Sequence, residues 1–94
     1  MGPKTAELIK VLEEMLSILE REKEQHWSQV IADCKKRIEK SDYSGIEKLL
    51  GCYGGMGSFN DLVLSPSTEN KENEDLYNLR SKAWELAEAI RHDQ

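Results

Sequence analysis

Leu8, Val11, Leu12, Met15, Ile18 and Leu19 recur at steps of three and four residues, and this spacing constrains the fold more than any other feature. Side chains so spaced share one face of a 3.6-residue helix, so residues 4–24 are expected to form an amphipathic helix with one broad apolar stripe. Pro3 suits the first turn, where a backbone N–H has no helical partner to lose, and Glu7 favours the positive end of the helix dipole. Glu20, Arg21, Glu22, Lys23 and Glu24 make a solvated end. A second stripe of Trp27, Val30, Ile31, Cys34 and Ile38 predicts a helix over 27–40, with Lys35, Lys36, Arg37 and Lys40 near its negative C-terminal end. No Gly or Pro separates these two segments, so one bent helix and a tight turn near Gln25 and His26 are both open.

Further along, Ser41-Asp42-Tyr43-Ser44-Gly45 interrupts the pattern, and Ser41 or Asp42 can cap a short helix that reaches about Leu50. Its apolar side holds Ile46, Leu49, Leu50 and Tyr53. The chain then runs through Gly54-Gly55-Met56-Gly57, which contains half of its glycines, and on to Phe59, Leu62, Val63 and Leu64. Glycine admits positive φ and sharp reversals, so this stretch is expected to end one helix and turn Phe59 and Leu62 into the core. Ser58 with Asp61 favours a single helical turn over 59–63, a short extended segment being the other option. Residues 65–75, polar and containing Pro66, read as an exposed loop. Leu76, Leu79, Ala83, Leu86, Ala87 and Ile90 then predict a last helix over 73–91, capped by Asn70, Asn73 or Asp75. The expectation is one all-α domain over 1–94: a small bundle of three longer helices, with one or two short ones around a Gly-rich turn.

Size and charge narrow the function. Ninety-four residues with 38% hydrophobic content support a small core but not a deep substrate cavity as well. The net charge is −5, with eight acids against four bases in residues 61–94. An acidic chain repels nucleic acid and anionic lipid and steers toward basic partners, although moderate charge of this kind also serves solubility alone. No apolar run approaches a membrane span, and no signal peptide or myristoylation pattern is present. A cytoplasmic protein with reduced thiols is the expectation.

The chemistry-bearing side chains are sparse. Gly54–Gly57 lacks the lysine and serine of a P-loop and the spacing of a dinucleotide fingerprint. His26 and His92 stand apart from other metal-ligand residues, so neither a metal nor a cofactor is expected. Cys34 falls on an apolar face and reads as an inert buried thiol. Cys52 shows no basic neighbour in its immediate sequence to lower its pKa. Trp27 and Trp84 are expected to close the ends of the core, although Trp also serves as a binding anchor. Asn60 and Asp61 either hold their turn through side-chain-to-backbone bonds or present polar groups to a partner. Glu69, Glu72, Glu74 and Asp75 either complement the last helix's dipole or dock a basic partner.

The stretch Tyr53–Leu64, YGGMGSFNDLVL, resembles a Gly-Gly-Met-Gly-Ser-Phe/Leu-Asn-Asp-Leu motif of small bacterial proteins of uncharacterised function, and Leu79-Arg80-Ser81 matches a segment of their final helix. The resemblance covers about 15 of 94 residues and implies a bacterial, single-domain, mostly helical protein. In size, charge and organisation such chains are similar to immunity proteins that neutralise toxin domains, including those of contact-dependent growth inhibition.

These observations together lead to an expected function: a non-enzymatic binding protein that covers the basic active site of a bacterial toxin, a nuclease in the first instance. Glu69, Glu72, Glu74 and Asp75 are the expected contacts, with Asn60 and Asp61 second. The alternative is a homodimeric structural or adaptor protein that pairs through exposed parts of its apolar stripes. A small enzyme using the glycine stretch with Asn60 and Asp61 is a third and weaker reading.

Overall fold

A computed structural model describes residues 2–53 and 70–92, with side chains except those of 70–72. Within them lie α1 (Pro3–Arg21), α2 (Gln25–Glu39), α3 (Ser44–Gly51) and α4 (Asn70–His92), and no strand. The protein is an all-α bundle of three longer helices and a short one. The second short helix expected at 59–63 lies outside the described residues.

The choice between one bent helix and two is resolved by the backbone at Lys23. Its φ is 59°, in the left-handed region that ends helices. The Glu24 N–H donates to the Leu19 carbonyl at 2.9 Å and the Lys23 N–H to the Glu20 carbonyl at 3.1 Å. That reciprocal pair satisfies carbonyls that a helix end would otherwise orphan. α2 ends the same way: Ser41 has φ 60°, Asp42 N–H donates to Arg37 at 2.9 Å and Ser41 N–H to Ile38 at 3.0 Å. Both stops use a residue with a Cβ where glycine is usual, which is why the first of them carried no signal in composition.

After each stop the chain folds back. Contacts run α2–α1–α4–α3–α2, so each helix lies against two others around one core. The core is the set of stripes read from the sequence: Leu8, Leu12, Met15 and Leu19 of α1, Ile31, Cys34 and Ile38 of α2, Ile46 and Leu49 of α3, and Leu76, Ala83 and Ala87 of α4. Trp27, Val30, Leu50, Tyr53, Leu79, Leu86 and Ile90 pack around it, partly buried.

Four expectations change. The turn between the first two helices falls at 22–24, and Gln25 and His26, where it was expected, open α2 instead. α4 starts at Asn70, three residues before the expected 73, so 70–75 of the polar stretch are helix, and 65–69 lie outside the described residues. The reason is local: Asn70-Lys71-Glu72-Asn73-Glu74-Asp75 contains no Gly or Pro, and its acids suit the positive end of a helix. Glu7, expected to serve the α1 dipole, instead reaches across to Lys82 of α4 at 3.2 Å. Trp84, expected to close the core, is 42% exposed, because it stands away from the Leu76–Ala83–Ala87 stripe that α4 buries.

Gly45 fixes how closely α2 and α3 approach. It is buried, and a Cβ there would sit 2.9 Å from the Cβ of Arg37, the Cys34 carbonyl oxygen and Cγ1 of Ile38. Real Cβ atoms do not approach so closely, so only glycine allows the two helices this separation.

Candidate functional site

Two surfaces carry chemistry: the outer face of α4 and the seam between α2 and α3. On α4, Glu74, Tyr77, Ser81 and Trp84 follow one another at steps of three and four, forming a single stripe turned away from the buried one. Tyr77 is 61% exposed, and with Trp84 it makes up the exposed large hydrophobic side chains of the described residues. Glu74 and Glu85 are exposed beside them. The nearby cations are engaged elsewhere: Lys82 with Glu7, and Arg91 with Glu88 at 2.7 Å. Arg80 is buried, and its backbone carbonyl accepts a 2.7 Å hydrogen bond from the Tyr53 phenol. That bond ties the end of α3 to α4, and burial pushes the Tyr53 phenol well above its usual pKa.

Of the expected contact residues, Glu74 lies on this stripe. Asp75 is half-buried and lines an open groove with Glu14, Arg21 and Asn78 between α1 and α4. Glu72 belongs to the start of α4. Glu69, Asn60 and Asp61 lie outside the described residues.

The α2–α3 seam went unanticipated. Lys48 of α3 donates to Asp33 Oδ2 of α2 at 2.7 Å, and Arg37 Nε donates to the same oxygen at 3.0 Å. Arg37 Nη1 reaches Ser44 Oγ at 3.1 Å, and the Ser44 N–H donates to Asp42 Oδ1 at 2.9 Å. A continuous polar rail therefore runs along the contact that Gly45 closes. Hydrogen bonding from Lys48, with Arg37 assisting, holds the Asp33 carboxyl below its usual range. The Ser44 hydroxyl and N–H do the same for Asp42. Tyr43, not Ser41 or Asp42, stands at the cap position of α3, while Asp42 accepts from the first N–H of the helix and Ser41 serves as the stop of α2.

Beside the rail lie both cysteines. Cys34 of α2 is fully buried, and Cys52, just after α3, is half-buried. The Cys52 thiol also donates to the Lys48 carbonyl at 3.3 Å. Contact with Cys34 and the Lys48 ammonium lower the Cys52 pKa despite burial. Interaction with Cys52 and desolvation push the Cys34 thiol far up. This corrects the sequence expectation for Cys52: Lys48, one helical turn earlier, is its basic neighbour. The i, i+4 spacing of Lys48 and Cys52 was the available signal; the approach of Cys34 from another helix left none.

Among the described residues, no group of three His, Cys, Asp or Glu side chains converges to hold a metal ion, and no helix is long and apolar enough to cross a membrane. A family model described as a domain of unknown function, DUF6966, matches residues 20–72. The chain belongs to the DUF6966 family. The matched span runs from the end of α1 to the start of α4, so it contains the whole α2–α3 seam, both cysteines and the glycine stretch. The family is an uncharacterised one, as the resemblance in residues 53–64 implied at that level. No curated protein and no solved structure matches the chain.

Proposed function

We propose that this protein is a non-enzymatic binding module that engages a basic protein through the outer face of α4, and that the partner is a bacterial toxin domain whose cationic, nuclease-type active site it covers. The observation that carries the reading is the pair Tyr77 and Trp84, two turns apart on one exposed stripe and accompanied by Glu74 and Glu85. Exposed aromatics on a rigid helix bury much area at small entropic cost and are the residues most often found at the centre of interfaces. Acidic neighbours add steering toward a positive partner and penalise a negative one. Glu72 and Asp75 extend the acidic character toward the start of the helix.

The test is to identify the protein's neighbouring gene and, if it encodes a basic toxin domain, to measure binding of the purified protein to that domain by calorimetry at low and high salt. The expected result is a one-to-one complex weakened by salt. Trp84→Ala is expected to weaken it by about thirtyfold or more, as loss of a central aromatic anchor does. A folded protein that binds no basic domain overturns the reading. So does a salt-insensitive homodimer that covers Tyr77 and Trp84, which would favour a self-associating adaptor.

A further inference from the structure

We propose that the outer face of α4 recognises arginine: a guanidinium from an exposed segment of a partner protein forks onto Glu74 and lies flat on the Tyr77 ring, and a second arginine stacks on Trp84. This rests on the reading of α4 as the docking face and adds which side chain that face selects. The alignment of the rings, their unused faces and the sign of the charge beside them support it.

Tyr77 and Trp84 are seven positions apart and both exposed. Seven residues are two helical turns with a drift of about 20°, so the rings stand nearly in line, about 10.5 Å apart along the axis. Ser81 lies between them, exposed and too small to cover either ring. Neither ring makes an aromatic or cation–π contact among the described residues. The unpaired charge beside them is negative. Glu74 is one turn before Tyr77, a spacing at which helix side chains meet, and Glu85 borders Trp84. Both carboxylates are exposed and stand outside the ion pairs of the described residues. The cations between the rings in sequence are occupied elsewhere: Arg80 is buried, and Lys82 reaches across to Glu7.

An aromatic face with a carboxylate one turn away selects a flat cation. The ring quadrupole attracts positive charge above its face. A guanidinium is planar and weakly hydrated, and its parallel N–H groups fit a carboxylate bidentately, so it stacks and forks at once. A lysine ammonium is compact and strongly hydrated, and it gains the charge contact without the stack. An anionic or purely apolar segment would leave Glu74 and Glu85 unpartnered on a face whose cations are already engaged. Two arginines three positions apart on an extended loop span about 10 Å, close to the separation of the rings.

The experiment is NMR titration of the isotope-labelled full chain with the blocked peptide Arg-Gly-Gly-Arg and, separately, with Lys-Gly-Gly-Lys of equal charge. The arginine peptide is expected to shift the Trp84 indole N–H and the amides around Glu74, Tyr77 and Glu85, while the Trp27 indole stays still. It is expected to bind about two- to fivefold more tightly than the lysine peptide, the size of an exposed cation–π contact. Salt is expected to weaken both. Tyr77→Leu keeps apolar bulk but has no π face, and is expected to reduce the preference for arginine with little change for the lysine peptide. Trp84→Leu is expected to do the same from the other ring, and serves if Tyr77→Leu fails to fold. Glu74→Gln is expected to weaken both peptides. Equal binding of the two peptides to folded wild type overturns the proposal. So do shifts that leave the α4 face untouched, the absence of any shift at millimolar peptide, and a preference that survives the loss of both rings. These outcomes separate from the toxin test. A toxin domain that binds this face while the two peptides bind alike keeps the docking reading and removes the arginine one; arginine preference with no toxin partner does the reverse.

Discussion

The α1–α4 contact and the α2–α3 contact hold the same bundle together by different means. α1 and α4 meet through aliphatic side chains: Leu8, Leu12, Met15 and Leu19 on one side, Leu76, Ala83 and Ala87 on the other, all buried. The polar link between them, Glu7 to Lys82, is about half exposed on both sides. Such a seam is strong but weakly directional, since apolar burial scales with area and tolerates small slides. α2 and α3 meet instead across Gly45, with the Asp33–Lys48–Arg37 cluster along one edge and the two thiols at the end. α3 has only eight residues and cannot bury a long stripe. Its placement depends on close approach and on hydrogen bonds of fixed geometry. Exposed ion pairs add little stability singly, so the rail's part is to set the register of α3 on α2.

The contrast can be broken at its strongest point first. Leu12 is fully buried in the apolar seam, and Leu12→Ala is expected to lower unfolding free energy by about 2–5 kcal/mol through lost transfer energy and the cavity left behind. Denaturant titration reads this directly. A cost under about 1 kcal/mol would mean that α1 does not anchor the core. Gly45→Ala comes next, at about 1–3 kcal/mol of destabilisation from overpacking. The better helix propensity of alanine, worth about 1 kcal/mol, opposes this, but one of the 2.9 Å neighbours is the Cys34 backbone oxygen, which cannot move alone. The same titration decides it, and a neutral or stabilising result would remove the steric account of the α2–α3 seam.

The smallest expected effect lies in the rail. Asp33 has its pKa lowered from 3.8, chiefly by the hydrogen bond from Lys48. A carboxyl depressed in the folded state contributes stability that is complete above its unfolded pKa and is lost as pH falls through the folded one. Asp33→Asn is therefore expected to lower the melting temperature at neutral pH, and the gap to wild type is expected to close as pH drops below 3.8. A gap that persists unchanged in acid would assign the loss to packing and not to the charge cluster.

Much of the bundle was legible because helices announce themselves locally. The stripes of α1, α2, α3 and α4 could be read directly from spacing, and Leu8, Ile31, Leu49 and Leu76 are buried where that spacing placed them. Boundaries were less legible. Lys23 and Ser41 end helices in a left-handed conformation with no glycine to signal it, and Asn70 opens α4 inside a stretch whose polarity resembled a loop. The candidate sites were the least legible. Of the acidic residues singled out whose side chains are described, Glu74 falls on the exposed α4 stripe and Asp75 is half-buried; Tyr77 was passed over and Trp84 was assigned to the core.

What the sequence determined alone is therefore the helical class, the core-facing stripes and the acidic balance of the chain, because each depends on residues within a few positions of one another or on composition. The tertiary structure decided the rest. It brought Lys48 against Asp33 and the Tyr53 phenol onto the Arg80 carbonyl, 27 positions away. It also turned Trp84 outward. The physical reason is that a helix's period fixes which side chains share a face, whereas which faces meet, and at what register, depends on packing among helices that are distant in the chain.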